Sequence, residues 1–414
     1  MEGESVMTYE TQKENISKNN LEQCMKCNIC AQVCPVASVD DEYPGPKQAG
    51  PDQERYRMKN PQYFQKVLKM CLNCKRCEIA CPSGVNVGDI IQSARIDNAH
   101  GTPSLRDFTL ANTDLVGSMT TMMAPLVNFT LGLKPVKEVM HATIGVDKHR
   151  QFPAYAGQKF ETWFRKNAQE AQKNFSKHVA YFHGCYVNYN NPQLGKDFVK
   201  VMNALGYGVN LLENEKCCGV ALIANGMPKQ AAKQGEHNIS VMRKALSEGN
   251  EAVLTTSSTC TFTMRDEYPH LLKVENEGVR ENISLATRFI YHLLQEKGTQ
   301  LKFRKDFKMK VAYHSACHME RMGWTVYSIE LLRMIPGVEL IQLDSQCCGI
   351  SGTYGFKKEN YERSQKIGEG LFNNIKKAAP DYVSTDCETC KWQIEMSTGY
   401  EVLNPITILA MALE

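Results

Sequence analysis

The apolar pattern divides the chain into unlike halves. From about Val179 onward, short apolar runs alternate with stretches whose apolar positions recur at helical spacing. Val179-Ala180-Tyr181-Phe182 and Val311-Ala312-Tyr313-His314 predict strands, and second strands follow at residues 209–212 and 338–343. Between them, Phe198, Val199, Met202 and Leu205, and again Ile329, Leu331, Leu332 and Ile335, mark helices that stop at Gly206 and Gly337. This order of elements occurs twice with an offset of 130 residues, so the half reads as a duplicated α/β unit. Upstream, residues 36–70 read as helical apart from the breaker-rich loop 43–51, and Pro103 closes that region. The longest uncharged run, 19 residues from Leu115 to Leu133, contains Pro125, Asn128 and two glycines and makes a poor membrane-spanning helix.

Composition narrows the class. Of 414 residues, 43% are hydrophobic and 22% charged, with a formal net charge of +3. That suits a chain of two to four globular domains and excludes a disordered polymer, a collagen-like fibre and a bundle of transmembrane helices. Residues 1–20 lack the apolar run of a secretory leader. The expectation is an intracellular chain with reduced thiols, so its 17 cysteines point to metal and not to disulfides.

The cysteines fall into two groups separated by 103 cysteine-free residues. In the first, Cys24, Cys27, Cys30 and Cys34 are spaced C-x2-C-x2-C-x3-C before Pro35, and Cys71, Cys74, Cys77 and Cys81 repeat the spacing before Pro82. This is the run of bacterial two-cluster ferredoxins, in which three thiolates hold one cube and the fourth crosses to the other. It assigns Cys24, Cys27, Cys30 and Cys81 to one [4Fe–4S] centre, and Cys71, Cys74, Cys77 and Cys34 to a second. Zinc is the alternative, but it usually takes two C-x2-C pairs, not three evenly spaced cysteines plus Cys-Pro.

The second group follows the α/β repeat. Each copy has a cysteine after its first strand (Cys185; Cys317), a Cys-Cys-Gly after its second (Cys217-Cys218-Gly219; Cys347-Cys348-Gly349) and a cysteine 41 intervening residues beyond (Cys260; Cys390). Cysteines at the carboxyl ends of strands converge on the crevice where open α/β sheets place ligands. The second copy adds Cys387, where the first has Ser257. Adjacent cysteines suit two irons or an irregular cluster better than one tetrahedral ion. A further iron–sulfur cluster is therefore expected on Cys317, Cys347, Cys348, Cys387 and Cys390. The four thiols Cys185, Cys217, Cys218 and Cys260 fit zinc, a modified cluster or an empty structural site, and the sequence leaves that choice open. The expected layout is a helical two-cluster ferredoxin-type domain (1–102), a connector (103–178) and two cysteine-rich α/β repeats (179–300 and 301–414).

Tandem ferredoxin motifs followed by two Cys…Cys-Cys-Gly…Cys units resemble the CCG-domain electron-transfer proteins. That group includes the B subunits of heterodisulfide reductases and the iron–sulfur subunits of glycolate and lactate oxidation. Residues 43–52, 72–82, 182–195, 347–360 and 385–398 look most like the family of anaerobic glycerol-3-phosphate dehydrogenase C subunits, and the resemblance covers essentially the whole chain. It implies an electron-transfer subunit without flavin chemistry of its own. A flavoprotein catalytic subunit and a second subunit would be its partners, and menaquinone at the cytoplasmic face of the inner membrane its acceptor. It also implies a noncubane cluster on the five-cysteine unit. Consistent with a protein that holds no nicotinamide site, no G-x-G-x-x-G follows a strand.

The connector carries the expected membrane contact. Within residues 103–178, a first part with Met119, Met122, Met123, Leu126, Val127, Phe129 and Leu131 precedes residues 134–177, which hold nine Lys/Arg against four acids, interleaved with Phe152, Tyr155, Phe160, Trp163, Phe164 and Phe175. This is the profile of a peripheral interfacial anchor on anionic lipid that borders a quinone pocket. The plainer alternative is a linker whose Met and Phe pack onto the domains. Nucleic acid is not an expected partner, since this charge is too sparse. His183 and His314 precede the first cysteine of each repeat and are candidates to hydrogen-bond a cluster sulfur or carry a proton, or simply to sit satisfied at strand ends. His318, directly after Cys317, has no counterpart in the first repeat, where Tyr186 follows Cys185, and Lys47 in the breaker-rich loop is a candidate to tune a nearby cluster by its charge, or simply a solvated side chain. The rival functions are a disulfide-cleaving enzyme like heterodisulfide reductase, a relay for glycolate or lactate oxidation, and a zinc-stabilised assembly module.

Overall fold

The computed structural model describes residues 19–60, 63, 65–99, 101–296 and 300–414; the expectation about a leader lies almost wholly outside them. Two parallel sheets form the carboxyl-terminal half. Strands β1 (Lys177–Tyr181), β2 (Tyr207–Leu211), β3 (Val253–Thr255) and β4 (Ile283–Leu285) pair in the order β2-β1-β3-β4. Strands β5 (Met309–Tyr313), β6 (Val338–Gln342), β7 (Tyr382–Ser384) and β8 (Val402–Leu403) repeat it as β6-β5-β7-β8. The strands foreseen from the pattern fall within two residues of these, and each copy adds a short fourth strand. Parallel pairing requires crossovers, and long helices supply them, Pro228–Ser247 in the first copy and Tyr361–Ala378 in the second.

The two copies interlock. Helix Pro405–Ala412, at the end of the second copy, packs on Pro192–Ala204 of the first, and Ala286–Gln295 of the first packs on Thr325–Arg333 of the second. One apolar core therefore contains Val179, Phe198 and Ile290 together with Val311, Leu332 and Ile408, each at most 5% exposed. Gly206 follows the end of helix Pro192–Ala204 at φ +83°, a backbone turn that side-chain-bearing residues resist, whereas helix Thr325–Arg333 stops four residues before the expected Gly337, which takes the same φ in the turn that enters β6.

The amino-terminal domain is less helical than expected. Between residues 36 and 70, the described residues contain turns, one short helix and a 3-10 turn, Lys66–Met70. The segment 43–51 is not simply a loop, because a helical turn starts at Pro46, widens into a π-turn over Gln48–Asp52 and continues as Gln53–Arg57. Pro46 fits a first turn, where its missing N–H is not needed. Pro51 cannot donate inside the turn, which the wider π geometry accommodates.

The connector begins as four short helices, Leu105–Ala111, Thr113–Thr121, Ala124–Gly132 and Lys134–Thr143. The uncharged run 115–133 is thus broken at Met122–Met123, and among the described residues no helix is long and apolar enough to cross a membrane. The aromatic segment behaves as core. Phe160 and Phe164 are 0% and 2% exposed and pack with Val179 and Phe198, while Trp163 is half-buried against the same core. The interfacial reading is therefore corrected for Phe160 and Phe164: periodicity that suits a lipid surface serves equally to dock helix Phe160–Asn167 on the first repeat. The exposed apolar side chains lie earlier, at Leu105, Phe108, Leu115, Met119, Met122, Met123, Leu126, Phe129, Leu133 and Val139.

Candidate metal centres

The two ferredoxin-type loops have one backbone course. Lys26 and Asn28 in the first, and Asn73 and Lys75 in the second, adopt left-handed φ between 56° and 64°, two and four residues after the leading cysteine. Alternating left-handed residues coil the chain so that three cysteines face one side, and a short helix follows each loop, Ile29–Gln32 and Arg76–Ile79. Non-glycine residues take this conformation at a cost that the surroundings must offset.

The thiols gather crosswise. Cys24, Cys27, Cys30 and Cys81 line one cavity, with Lys47, Pro82 and Val85. Cys71, Cys74, Cys77 and Cys34 line another, with Tyr43, Leu72 and Gly88. Each encloses about 350–360 Å³ of space, open rim included. Lys47 is paired with Asp52 at 2.8 Å at the edge of the first. Burial pushes the Cys34 thiol up to about 12 and the Cys74 thiol up to about 11, so as bare thiols these sulfurs are neutral at physiological pH. Four soft donors around one cavity, which a metal would deprotonate on binding, fit an iron–sulfur cube in each place. The two sites differ in depth: Cys27 is exposed, whereas Cys34 and Cys77 are buried.

The other nine cysteines form two groups at the carboxyl ends of β1–β3 and β5–β7. In the first repeat the Cys185 and Cys217 sulfurs are 3.8 Å apart. Cys260 starts within helix Ser258–Phe262, whose amino end is capped by Ser257 Oγ accepting from the Cys260 N–H at 3.2 Å. Ser257 occupies the place of the fifth cysteine as a cap and donates to Glu388 at 2.9 Å. In the second repeat the Cys348 and Cys390 sulfurs lie 3.2 Å apart. The Gly349 N–H points at Cys347 Sγ at 3.4 Å, and Cys387 Sγ is 3.3 Å from the Thr389 hydroxyl. Gly219 and Gly349 follow the cysteine pairs at φ +86° and +85°, which turns the chain away from the thiols into its next element. The donor chemistry of the second group, five thiols of which Cys348, Cys387 and Cys390 are buried and Cys317 and Cys347 partly so, fits an iron–sulfur cluster.

These sites are neighbours. Cys347 packs in the same apolar cluster as Cys34, Cys71 and Cys74, and burial, then the neighbouring Cys74, pushes the Cys317 thiol well up. Ser351 Oγ donates to the Leu72 carbonyl at 2.7 Å, Arg76 meets Glu320 at 3.0 Å, and Arg363 pairs with Asp40. The two repeats in turn touch through matching segments: Thr259 Oγ1 is 3.6 Å from Cys387 Sγ, and the Ser258 N–H donates to the Asp386 carbonyl at 2.9 Å.

Several residues at these sites carry no cysteine signal in the sequence. Asp114, on connector helix Thr113–Thr121, accepts from the Cys217 N–H at 2.7 Å. Burial, then the neighbouring Cys217, pushes its carboxyl up to about 7. Glu388 is pushed up to about 8, by burial and then by Cys387. Glu215 accepts both the His183 and Gly184 N–H groups, at 3.2 and 2.6 Å. Nothing in the sequence pattern pointed to Asp114, Glu215 or Glu388, and at the repeat offset both glutamates fall on serines, Ser345 and Ser258. His318 is placed against the ferredoxin domain: Nε2 is 3.3 Å from the Asn73 carbonyl and its ring stacks on Phe262 at 4.6 Å.

Comparison with known proteins agrees with this arrangement. The family described as "4Fe-4S dicluster domain" matches residues 20–85, and the "Cysteine-rich domain" family matches residues 179–265 and 311–395. The amino-terminal domain is thus a dicluster domain, and iron–sulfur clusters are the cofactors of this chain. The chain is 54% identical to the C subunit of anaerobic glycerol-3-phosphate dehydrogenase from Escherichia coli, over 96% of its own length and 100% of that protein. It is 25% identical to the B subunit of fumarate reductase (CoM/CoB) from Methanothermobacter marburgensis, over 94% of this chain and 70% of the relative. It is also 25% identical to the D subunit of dihydromethanophenazine:CoB–CoM heterodisulfide reductase from Methanosarcina acetivorans, over 95% and 94%. On cysteine spacing, duplicated fold and full-length identity together, the chain belongs to the family of anaerobic glycerol-3-phosphate dehydrogenase C subunits.

Proposed function

We propose that this chain is the electron-transfer subunit of a glycerol-3-phosphate:quinone oxidoreductase. It would take electrons from a flavoprotein partner and deliver them to menaquinone at the cytoplasmic face of the membrane, with a second subunit completing the complex. When bound, iron–sulfur clusters exchange single electrons, which lets a chain of them join two-electron chemistry at both ends. The observation that carries the reading is the continuous file of thiol groups. It runs from exposed Cys27, through Cys34, Cys71, Cys74 and Cys77, to Cys317 and Cys347, then across Thr259 and Glu388 to the first repeat.

The ends of the file suit two different partners. Met25, Ile29, Val33 and Ile79 are exposed on the two ferredoxin motifs near Cys27, an apolar surface fit for the flavoprotein. At the other end, helix Thr113–Thr121 touches the Cys217 backbone through Asp114 while Leu115 and Met119 stay exposed. That helix would border the quinone and, with the neighbouring exposed Met and Phe residues, hold the protein to the membrane surface. In this reading, cube one is held by Cys24, Cys27, Cys30 and Cys81, cube two by Cys71, Cys74, Cys77 and Cys34, and a noncubane cluster by Cys317, Cys347, Cys348, Cys387 and Cys390. Cys185, Cys217, Cys218 and Cys260 hold zinc or a modified cluster. The working units are 1–102, 103–178, 179–300 and 301–414. The disulfide-cleaving alternative is less well supported, because Ser257 leaves the first repeat one thiol short.

Iron and sulfide analysis with EPR on anaerobically purified protein tests this. About twelve irons per chain and at least three reducible centres are expected. Zinc as the sole metal, with no reducible centre, overturns the reading.

A further inference from the structure

His314 stands at the carboxyl end of β5, its backbone N–H donating to the Ser384 carbonyl at 2.8 Å. The residue is 1% exposed, and neither ring nitrogen has a hydrogen-bond partner. Buried imidazoles ordinarily have both nitrogens satisfied. What lies beside this one is thiol: a ring nitrogen of His314 and the sulfurs of Cys348 and Cys390 are all within 4.8 Å of one another. Three buried donors from three different segments of the second repeat thus converge on one point.

The first repeat shows the same position committed to packing. His183, at the end of β1, is also buried, but its Nδ1 lies 3.1 Å from the Gly184 carbonyl and 3.3 Å from the Glu215 carboxylate. Phe160 and Tyr181 pack edge-on against its ring. At the repeat offset of 130 residues, Glu215 corresponds to Ser345. The second copy therefore lacks the carboxylate that fixes His183. One extra residue, Ser315-Ala316 in place of Gly184, also separates His314 from its cysteine. The two copies have the same histidine and only one of them ties it down.

We propose that His314 is a metal ligand of the second repeat, its ring nitrogen binding an iron that Cys348 and Cys390 also hold. This rests on the reading that the second repeat carries an iron–sulfur cluster, and it gives that cluster a mixed cysteine and histidine shell. Imidazole is an ordinary ligand for iron, and a neutral nitrogen in place of a thiolate raises a cluster's potential.

The test uses the full chain, purified anaerobically with and without [15N]histidine. Pulsed EPR of the second-repeat centre is expected to show a directly coupled nitrogen that changes on labelling. The coupling should vanish in His314→Ala and persist in His183→Ala. His314→Cys should keep the full iron content and lower the midpoint potential of that centre alone. The signals of the two ferredoxin-type cubes report folding in every variant. If His314→Ala loses those signals too, the labelled wild type and His314→Cys decide the matter. An extra cluster without a coupled nitrogen, or with iron content and potential unchanged in His314→Ala, overturns the ligand while the cluster stands. A wild-type chain with only about eight irons and no third signal removes the cluster itself, and the ligand with it.

Discussion

Lys75, between two cysteines of the second ferredoxin loop, has a side chain with no solvent exposure. It pairs with Asp89 and lies 3.4 Å from Glu78, and Glu267 of the first repeat adds its field. The carboxylates are held from other sides as well: His270 is 3.3 Å from Asp89, Arg321 3.0 Å from Glu78, and the Asn73 amide 2.6 Å from Glu267. The network ties the loop to both repeats. Removing the cation takes from Asp89 and Glu78 the buried charge between them, so Lys75→Met should destabilise the holoprotein by about 3–5 kcal/mol in anaerobic urea unfolding. Gly349 makes a second residue-scale case. A Cβ there would run into the Ser364 carbonyl at φ +85°, whereas Gly278, at φ +74°, has open space. Gly349→Ala should therefore cost more than the roughly 1–2 kcal/mol of left-handed strain expected for Gly278→Ala, measured the same way. The gathering of the ferredoxin-type cysteines around two cavities was legible from spacing alone, because thiols at fixed short intervals have few other uses. Lys75 was not legible, since its carboxylate partners lie 3, 14 and 192 positions away and only folding gathers them.

At the scale of elements, the repeated strands and helices could be read from periodicity, with the glycine stop found at Gly206, while the second copy's helix ends at Arg333 and leaves Gly337 to the turn before β6. The connector could not be read as reliably. Charge and aromatic content marked residues 134–177 together with the Met-rich stretch before them, yet Phe160 and Phe164 are core, and of the two parts the Met-rich stretch around Thr113–Thr121 and Ala124–Gly132 carries most of the exposed apolar side chains. Amphipathic spacing is the same whether a helix meets lipid or a sheet, and only packing tells them apart. Two outcomes separate these segments. Replacing Met119, Met122, Leu126 and Phe129 together by Ser should abolish flotation of the protein with anionic vesicles and leave its melting temperature within a few degrees of the parent. Phe160→Ala should leave vesicle binding by the folded protein intact and cost about 3–5 kcal/mol of stability.

For the whole molecule, the important feature is that cysteine side chains are part of the core. Cys34 and Cys77 are buried with Leu21, Val36 and Ile91 in one cluster, which also receives Cys347 and Tyr354 from the second repeat. Removing iron by anaerobic chelation should therefore loosen residues 20–97 first, seen as faster amide hydrogen exchange there, while β1 and β5 stay protected. The same packing sets the second ferredoxin loop against both repeats, through Asn73 to Glu267 and Arg76 to Glu320. That neighbourhood is a consequence of tertiary structure, and no cysteine spacing contains it.

The central claim is that these sites carry electrons between a reduced flavoprotein and a quinone. Rapid-freeze EPR on the assembled complex measures it most directly. Glycerol 3-phosphate added anaerobically should reduce the iron–sulfur centres of this chain within the turnover time, and a menaquinone analogue added next should reoxidise them. Centres that stay oxidised while the flavin is reduced, or that stay reduced while quinone is consumed, would contradict it.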